Sequence, residues 1–265
     1  MARYALTVSY NGIRYSGFAK QKNLPTVQGI LEESLQKIYG LPIRIKYASR
    51  TDAGAHALGQ VISYDVKKGP EIDKIPDALN GLLPDDIRII SAREVSRDFS
   101  PSKDAKLKLY RYIVYEGKNL KPFLRGLCLF SRTRLDVDRM NSACRVLCGK
   151  HDFSSVVVKR DQKENTELSL ERAGVMRCDS FPIDGEMRKP SFGDFVVFEL
   201  EAQRFLYKMV RSICGLLIEV GERKLSVIDV VSIIRGEKKW RVRVLPPDGL
   251  YLVRINYGEN LCFMR

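Results

Sequence analysis

The residue types best suited to chemistry gather in one short polar segment, Ser49-Arg50-Thr51-Asp52-Ala53-Gly54, between two β-rich stretches. Its carboxylate, Asp52, can act as a covalent catalyst at an electrophilic carbon or as a base that removes a proton. A turn between strands is a place from which such a side chain projects into a cleft. Loop aspartates also close turns and form salt bridges, and on residue type alone both readings stand. No second acid lies near Asp52 in sequence, which speaks against the paired carboxylates of glycoside hydrolysis.

The neighbouring elements must hold that segment in place. Tyr4 to Tyr10 is rich in β-formers and stops at Asn11-Gly12, and a second turn-like stretch runs through Ser16-Gly17. From Thr26 the apolar residues Val27, Ile30, Leu31, Leu35 and Ile38 recur at helical spacing, with Pro25 before the run and Gly40 after it. Ile43 to Ser49 resumes strand character and Gln60 to Val66 alternates as a third strand. Asp73 can cap a short helix reaching Leu82, and Ile87 to Val95 supplies a further strand. This β-α-β-β-α-β order is that of a ferredoxin-like fold. A similar alternation follows, with strands at Lys106 to Tyr115, Glu171 to Arg177, Asp194 to Glu201 and Leu250 to Tyr257. Helices are expected at Val137 to Cys148, Phe205 to Val220 and Ser226 to Arg235. The expected class is therefore α+β, with two ferredoxin-like domains built on antiparallel sheets. Residues 1–103 carry Asp52, residues 104–265 form a larger second domain with extra helices, and the basic stretch Lys103 to Lys108 is the crossing between them.

In the 265-residue chain, 45 lysines and arginines against 32 aspartates and glutamates leave a formal net charge of +13. That excess attracts polyanions, so nucleic acid is the leading partner class, with a solvated basic surface as the plain alternative. No segment approaches the roughly 18 apolar residues of a membrane span. No signal peptide or transit sequence is visible, and a cytoplasmic setting without a membrane partner is expected. The six cysteines show no CxxC spacing and there are only two histidines, so no zinc set is expected. Cys144 and Cys148, one helical turn apart in an apolar stripe, read as core packing.

The Asp52 segment resembles the G/S-R-T-D-A-G-V-H motif of the tRNA pseudouridine synthase A family, here Ser49-Arg50-Thr51-Asp52-Ala53-Gly54-Ala55-His56, with Ala55 where valine is usual. Further resembling segments run nearly end to end in the family's order. They are Tyr15-Ser16-Gly17-Phe18-Ala19-Lys20-Gln21, Thr26-Val27-Gln28, Gly59-Gln60-Val61, Lys108-Leu109-Tyr110-Arg111-Tyr112, Gly149-Lys150-His151-Asp152-Phe153-Ser154, Phe205-Leu206-Tyr207-Lys208-Met209-Val210-Arg211 and Pro247-Asp248-Gly249-Leu250-Tyr251-Leu252. Phe99-Ser100-Pro101-Ser102 departs, standing where many members carry F-H-A-R, so a histidine and an arginine close to the RNA are missing.

The resemblance implies a tRNA pseudouridine synthase whose ferredoxin-like domains join around a central cleft, with Asp52 as the catalytic residue. The reaction breaks the bond from ribose C1′ to uracil N1 and rejoins the ring through C5. This isomerisation needs no cofactor and no metal, in keeping with the lack of a GxGxxG or P-loop motif. Attack at C1′, attack at C6 and a glycal route all stay open on residue identity, and the glycal route, with Asp52 taking the 2′ proton, is preferred.

The target base must leave its stack, and Tyr110 matches the family's tyrosine that stacks on the uracil. As a strand residue it shares a face with Lys106, Lys108 and Tyr112, a basic aromatic face suited to RNA, although a core tyrosine shows the same pattern. Arg211 corresponds to the family's arginine that pairs with the catalytic aspartate, which offsets the rise in carboxyl pKa that a dry pocket brings. In its helix Leu206, Met209, Val210, Ile213 and Leu217 share an apolar face, while Arg204, Lys208, Arg211 and Gly215 fall on another. Arg50 resembles the arginine that holds the flipped nucleotide, and Leu250 an apolar residue lining the uracil pocket. His56 and His151 read as a turn contact and a loop contact. The resemblance further implies tRNA as partner, engaged at the anticodon stem-loop near roughly positions 38 to 40 by a basic groove, and a homodimer. Two other readings remain: an RNA chaperone that binds RNA regardless of Asp52, and a carboxylate-dependent hydrolase.

Overall fold

The computed structural model describes residues 1–67, 69–158, 165–182 and 193–258. The chain divides into two compact units, Met1–Lys108 with Tyr251–Arg265, and Leu109–Leu250. From sequence the division is expected after residue 103, with the last strand in the second half. The last strand, Leu250–Asn256, runs parallel to the strand His56–Val66, with Tyr251 opposite His56 and Leu252 opposite Ala57, which ties it to the first unit.

In the first unit β1 (Ala2–Tyr10), α1 (Val27–Tyr39), β2 (Lys46–Tyr47), β3 (His56–Val66), α2 (Ile75–Asn80) and β4 (Ile87–Val95) follow in β-α-β-β-α-β order. β1 lies between β4 and β3, β2 pairs with β3, and all these pairings are antiparallel. The sheet as a whole is mixed, because the final strand adds to β3 in parallel; the purely antiparallel sheet expected from sequence is corrected by a strand that returns from the far end of the chain.

The start and stop of α1 follow from its ends. Thr26 accepts the Gly29 N–H on its hydroxyl, and Gly40 closes the helix in the left-handed conformation at φ 69°; a capping side chain of this kind is worth about 1 kcal/mol. Val27, Leu31 and Leu35 form its buried stripe, and α2 packs against α1 and β4. Asp73 does not cap α2 as expected: it sits inside a preceding 3-10 turn, Ile72–Lys74, and α2 starts after Lys74 without a side-chain cap.

In the second unit β5 (Leu107–Glu116, whose first two residues belong to the first unit), β6 (Leu129–Ser131), α3 (Val137–Leu147), β7 (Gly149–Asp152), β8 (Glu167–Leu170), β9 (Arg172–Cys178), β10 (Phe195–Ala202), α4 (Met209–Gly221) and α5 (Val227–Ile234) precede the final strand, β11 (Leu250–Asn256). The order is β5-β10-β9, with β6 parallel to β5, so this sheet too is mixed; β7 and β8 form a separate antiparallel ribbon. β6, β7 and β8 are absent from the sequence reading because strands of 3 or 4 residues are too short to show a period of two. Asn141 of α3 fastens that helix to β9, giving its amide to Val175 O and taking the Val175 N–H, each at 2.8 Å. Two buried carboxylates are fully engaged: Glu199 meets Arg111 at 2.8 Å and also Arg172, and Glu116 meets Arg177 at 2.5 Å and the Leu135 N–H. Removing one partner of such a pair strands a buried charge. Among the described residues no helix is long and apolar enough to cross a membrane.

Candidate active site

The loop from Ser49 to Ala55 joins β2 to β3, and its shape is dictated from several sides within the first unit. Gln60 is fully buried and clamps the loop entry: its amide donates to Ser49 O at 2.6 Å and accepts the Ser49 N–H at 3.1 Å. Thr51 is buried and bonds the Tyr10 phenol at 2.7 Å, while its carbonyl accepts the Phe18 N–H at 3.2 Å. The exit is a turn in which Ala55 N–H donates to Asp52 O at 3.1 Å and Gly54, at φ 80°, donates to Tyr15 O at 3.3 Å. Tyr15 is itself anchored by donating its phenol to Asp86; burial, and then that bond, push its pKa well above the ordinary value.

Two glycines let neighbouring backbone press against this loop. A Cβ on Gly12 would stand 1.9 Å from Ala55 O, and one on Gly17, at φ 95°, would stand 2.9 Å from Thr51 O. Gly12 N–H also donates to His56 Nδ1 at 3.2 Å, which requires that nitrogen to be unprotonated and fixes the proton of a neutral ring on Nε2. His56 is buried and stacks on Tyr251, with ring centroids 4.5 Å apart. It sits at the start of β3.

On this frame Arg50 and Asp52 flank the buried Thr51, with Asp52 half-buried and Arg50 exposed. The chain thus presents a carboxylate on a hydrogen-bonded loop between two strands, with the Thr51 hydroxyl between the two charged residues turned inward. Such an arrangement preorganises a single oxygen acid, which is what a carboxylate catalyst needs.

Tyr110, Arg211 and Leu250 belong to the second unit. Tyr110 is buried and meets Phe205 edge to face at 5.0 Å between centroids. Arg211 donates from Nε to Leu245 O at 2.6 Å, and Leu245 N–H returns a bond to Arg211 O at 3.4 Å, so the guanidinium is oriented by backbone. Leu250 is buried at the start of β11. Next to these, Tyr112 donates its phenol to Pro246 O at 2.8 Å, and burial raises its pKa far above the ordinary value.

The face holding Lys106, Lys108, Tyr110 and Tyr112 is not an open basic surface: Lys108 is buried and donates to Ala48 O at 3.0 Å, with burial lowering its pKa, and Tyr112 is buried. α4 begins at Met209 rather than Phe205, because Lys208 takes a left-handed φ of 56°. Its expected polar face is also narrower, since Gly215 is packed so closely that a Cβ would lie 2.0 Å from Arg243 O; Arg211 and Glu219 are its half-buried positions. Tyr10, Gly12 and Gln60 hold the Asp52 loop without a local sequence signal for it. The Asn11-Gly12 pair marked a turn, but nothing in the pattern said what would press against it.

A family model described as tRNA pseudouridine synthase matches residues 6–101 and 143–258. The chain is similar to proteins named tRNA pseudouridine synthase A from Methylacidiphilum infernorum, at 36% identity over 258 residues covering 97% of this chain and 96% of the relative. It is similar to the one from Acetivibrio thermocellus, at 36% over 263 residues, and to that from Thermoanaerobacter sp. (strain X514), at 34% over 258, each covering 97% of this chain and 100% of the relative. The chain belongs to the tRNA pseudouridine synthase family.

Proposed function

We propose that this chain isomerises uridine to pseudouridine in the anticodon stem-loop of tRNA, near roughly the family's positions 38 to 40, with Asp52 as the catalytic carboxylate acting on a base flipped from its stack. What carries the reading is the coincidence of the family match along the chain with an intact Asp52 loop whose backbone is held by Gln60, Tyr10 and Tyr15. Arg50 holds the displaced nucleotide, Tyr110 stacks on the uracil, Leu250 lines its pocket, and Arg211 is the fourth residue read as binding the substrate. The two units are read as ferredoxin-like domains, a reading supported in the first unit by its β-α-β-β-α-β order. A homodimer working in the cytoplasm completes the proposal.

In the glycal route Asp52 removes the C2′ proton as the bond from C1′ to N1 breaks, leaving a sugar with a C1′–C2′ double bond and a uracil anion. The ring turns, C5 bonds to C1′ as the proton returns from Asp52 to C2′, and the proton on C5 is lost while N1 gains one. Atoms and electrons balance with no co-reactant.

Because C5 must lose its hydrogen, tRNA transcripts labelled with tritium at uridine C5 release tritium into water in proportion to turnover. Release mapped to the anticodon stem-loop is the expected result. No release from any tRNA overturns the function, and release from elsewhere overturns the site.

A further inference from the structure

After Glu116 at the end of β5, the stretch from Gly117 to Leu135 carries Lys118, Lys121, Arg125, Arg132 and Arg134 and not one acidic residue. Arg134 reaches back to Glu116 at 3.5 Å. Lys118, Lys121, Arg125 and Arg132 are exposed, and among the described residues none of these four forms an ion pair with a carboxylate. In their midst Phe123 is 93% exposed.

The ring is held out by local structure. Phe123 sits in the 3-10 turn Pro122–Leu124, whose φ is restricted by the proline. The turn is closed by backbone bonds from Leu124 to Lys121, Arg125 to Pro122 and Leu127 to Leu124. Cys128 Sγ also reaches Leu124 O at 3.6 Å, and Lys121 Nζ lies 5.3 Å from the Tyr115 ring centre. A large aromatic ring kept in water by a built turn, flanked in sequence by cations that pair with no carboxylate among the described residues, suits a polyanion that also offers flat faces, which is the chemistry of RNA. A second copy of this stretch fits poorly against it, because a two-fold contact would set its five basic residues against five more with no acid between them.

We propose that this turn, with Phe123, Lys118, Lys121 and Arg125, is a second RNA-binding surface that grips the tRNA substrate away from the target uridine. Phe123 stacks on an unpaired base and the cations meet phosphates. Tyr110 lies on the same strand, β5, and at about 3.3 Å per residue the strand end is roughly 20 Å from it. The turn therefore acts on binding and leaves the chemical step alone. This inference rests on the proposed reading that tRNA is the substrate.

The test compares wild type, Phe123→Ala, Phe123→Trp and the combined variant Lys118→Gln/Lys121→Gln/Arg125→Gln, all at exposed positions. Binding of an unmodified tRNA transcript is measured over a range of salt, together with the single-turnover rate at saturating tRNA and sedimentation of the protein alone. The combined variant is expected to weaken binding about tenfold and to lower the slope of log affinity against log salt by about 2 to 3, since each lost phosphate contact removes roughly 0.7 to 0.9. Phe123→Ala is expected to weaken binding at least about fivefold with an unchanged slope, and Phe123→Trp to restore it. All variants keep the wild-type single-turnover rate. Unchanged affinity and slope overturn the inference, as does a change in subunit stoichiometry in Phe123→Ala, which assigns the surface to a second copy. Failure of the proposed function itself reads differently: wild-type protein then makes no pseudouridine at all, whatever the binding data show.

Discussion

Replacing Gln60 by alanine tests whether the Asp52 loop is held from beneath. The side chain is fully buried and contributes the bonds of 2.6 and 3.1 Å to the two backbone groups of Ser49. Leaving these part-buried backbone groups without the Gln60 partner costs about 1 kcal/mol each, so a loss of about 2 kcal/mol is expected, measured by chemical denaturation. The bonds from Tyr10 and Phe18 to Thr51 remain, so the unit folds while the loop entry loosens. A reacting group displaced by about 1 Å loses on the order of a hundredfold in rate. The single-turnover rate on tRNA is therefore expected to fall by about tenfold to a hundredfold. Affinity for tRNA is expected to stay within about twofold, because a residue buried beneath the loop makes no contact with RNA. A variant that is destabilised as calculated yet reacts at the wild-type rate refutes the reasoning, and so does one whose loss lies wholly in affinity.

Gly12→Ala brings a Cβ to within 1.9 Å of Ala55 O, so the backbone after Asp52 must shift, and activity is expected to fall by about tenfold or more in a steady-state assay while far-ultraviolet circular dichroism is retained. If Asp52 removes the C2′ proton, tRNA deuterated at C2′ of the target uridine shows a primary isotope effect of about 2 or more on single turnover; none is expected from attack at C1′ or C6. Acid stability follows from two carboxyls. The Arg139 N–H and then Arg223 hold Asp136 below its ordinary 3.8, and the Arg3 side chain does the same for Asp65. In the unfolded chain both carboxyls take up protons near 3.8, before the folded state does. Their stabilisation is thus complete above about pH 5 and is lost as pH falls through the depressed folded values. Asp136→Asn and Asp65→Asn are each expected to flatten the decline of the denaturation midpoint below pH 4.

Much of the frame was legible in the sequence where signals are local. Thr26 and Gly40 bracket α1 as the cap and spacing rules require, and Ile87–Val95 is a strand of the expected extent. The Asp52 segment is the turn between strands that its composition announced. What escaped depends on contacts distant in sequence. Tyr10 reaches Thr51 across 41 residues, and Tyr251 of β11 pairs with His56 of β3 across most of the chain's length, so no window of neighbouring residues contains either signal. Lys108 looked like a surface lysine because charge normally means exposure, yet the Ala48 carbonyl satisfies it in the interior. Gly215 read as polar-face spacing, whereas its role is to admit the Arg243 backbone.

The most direct measurement sets wild-type protein beside Asp52→Asn on unmodified tRNA, with pseudouridine mapped at nucleotide level and RNA affinity measured in parallel. Asparagine keeps the size and polarity of the side chain and removes its charge and basicity. The expected outcome is pseudouridine in the anticodon stem-loop with wild type, none with Asp52→Asn, and similar tRNA affinity for both. Equal modification by the two proteins would contradict the assignment of the chemistry to this carboxylate.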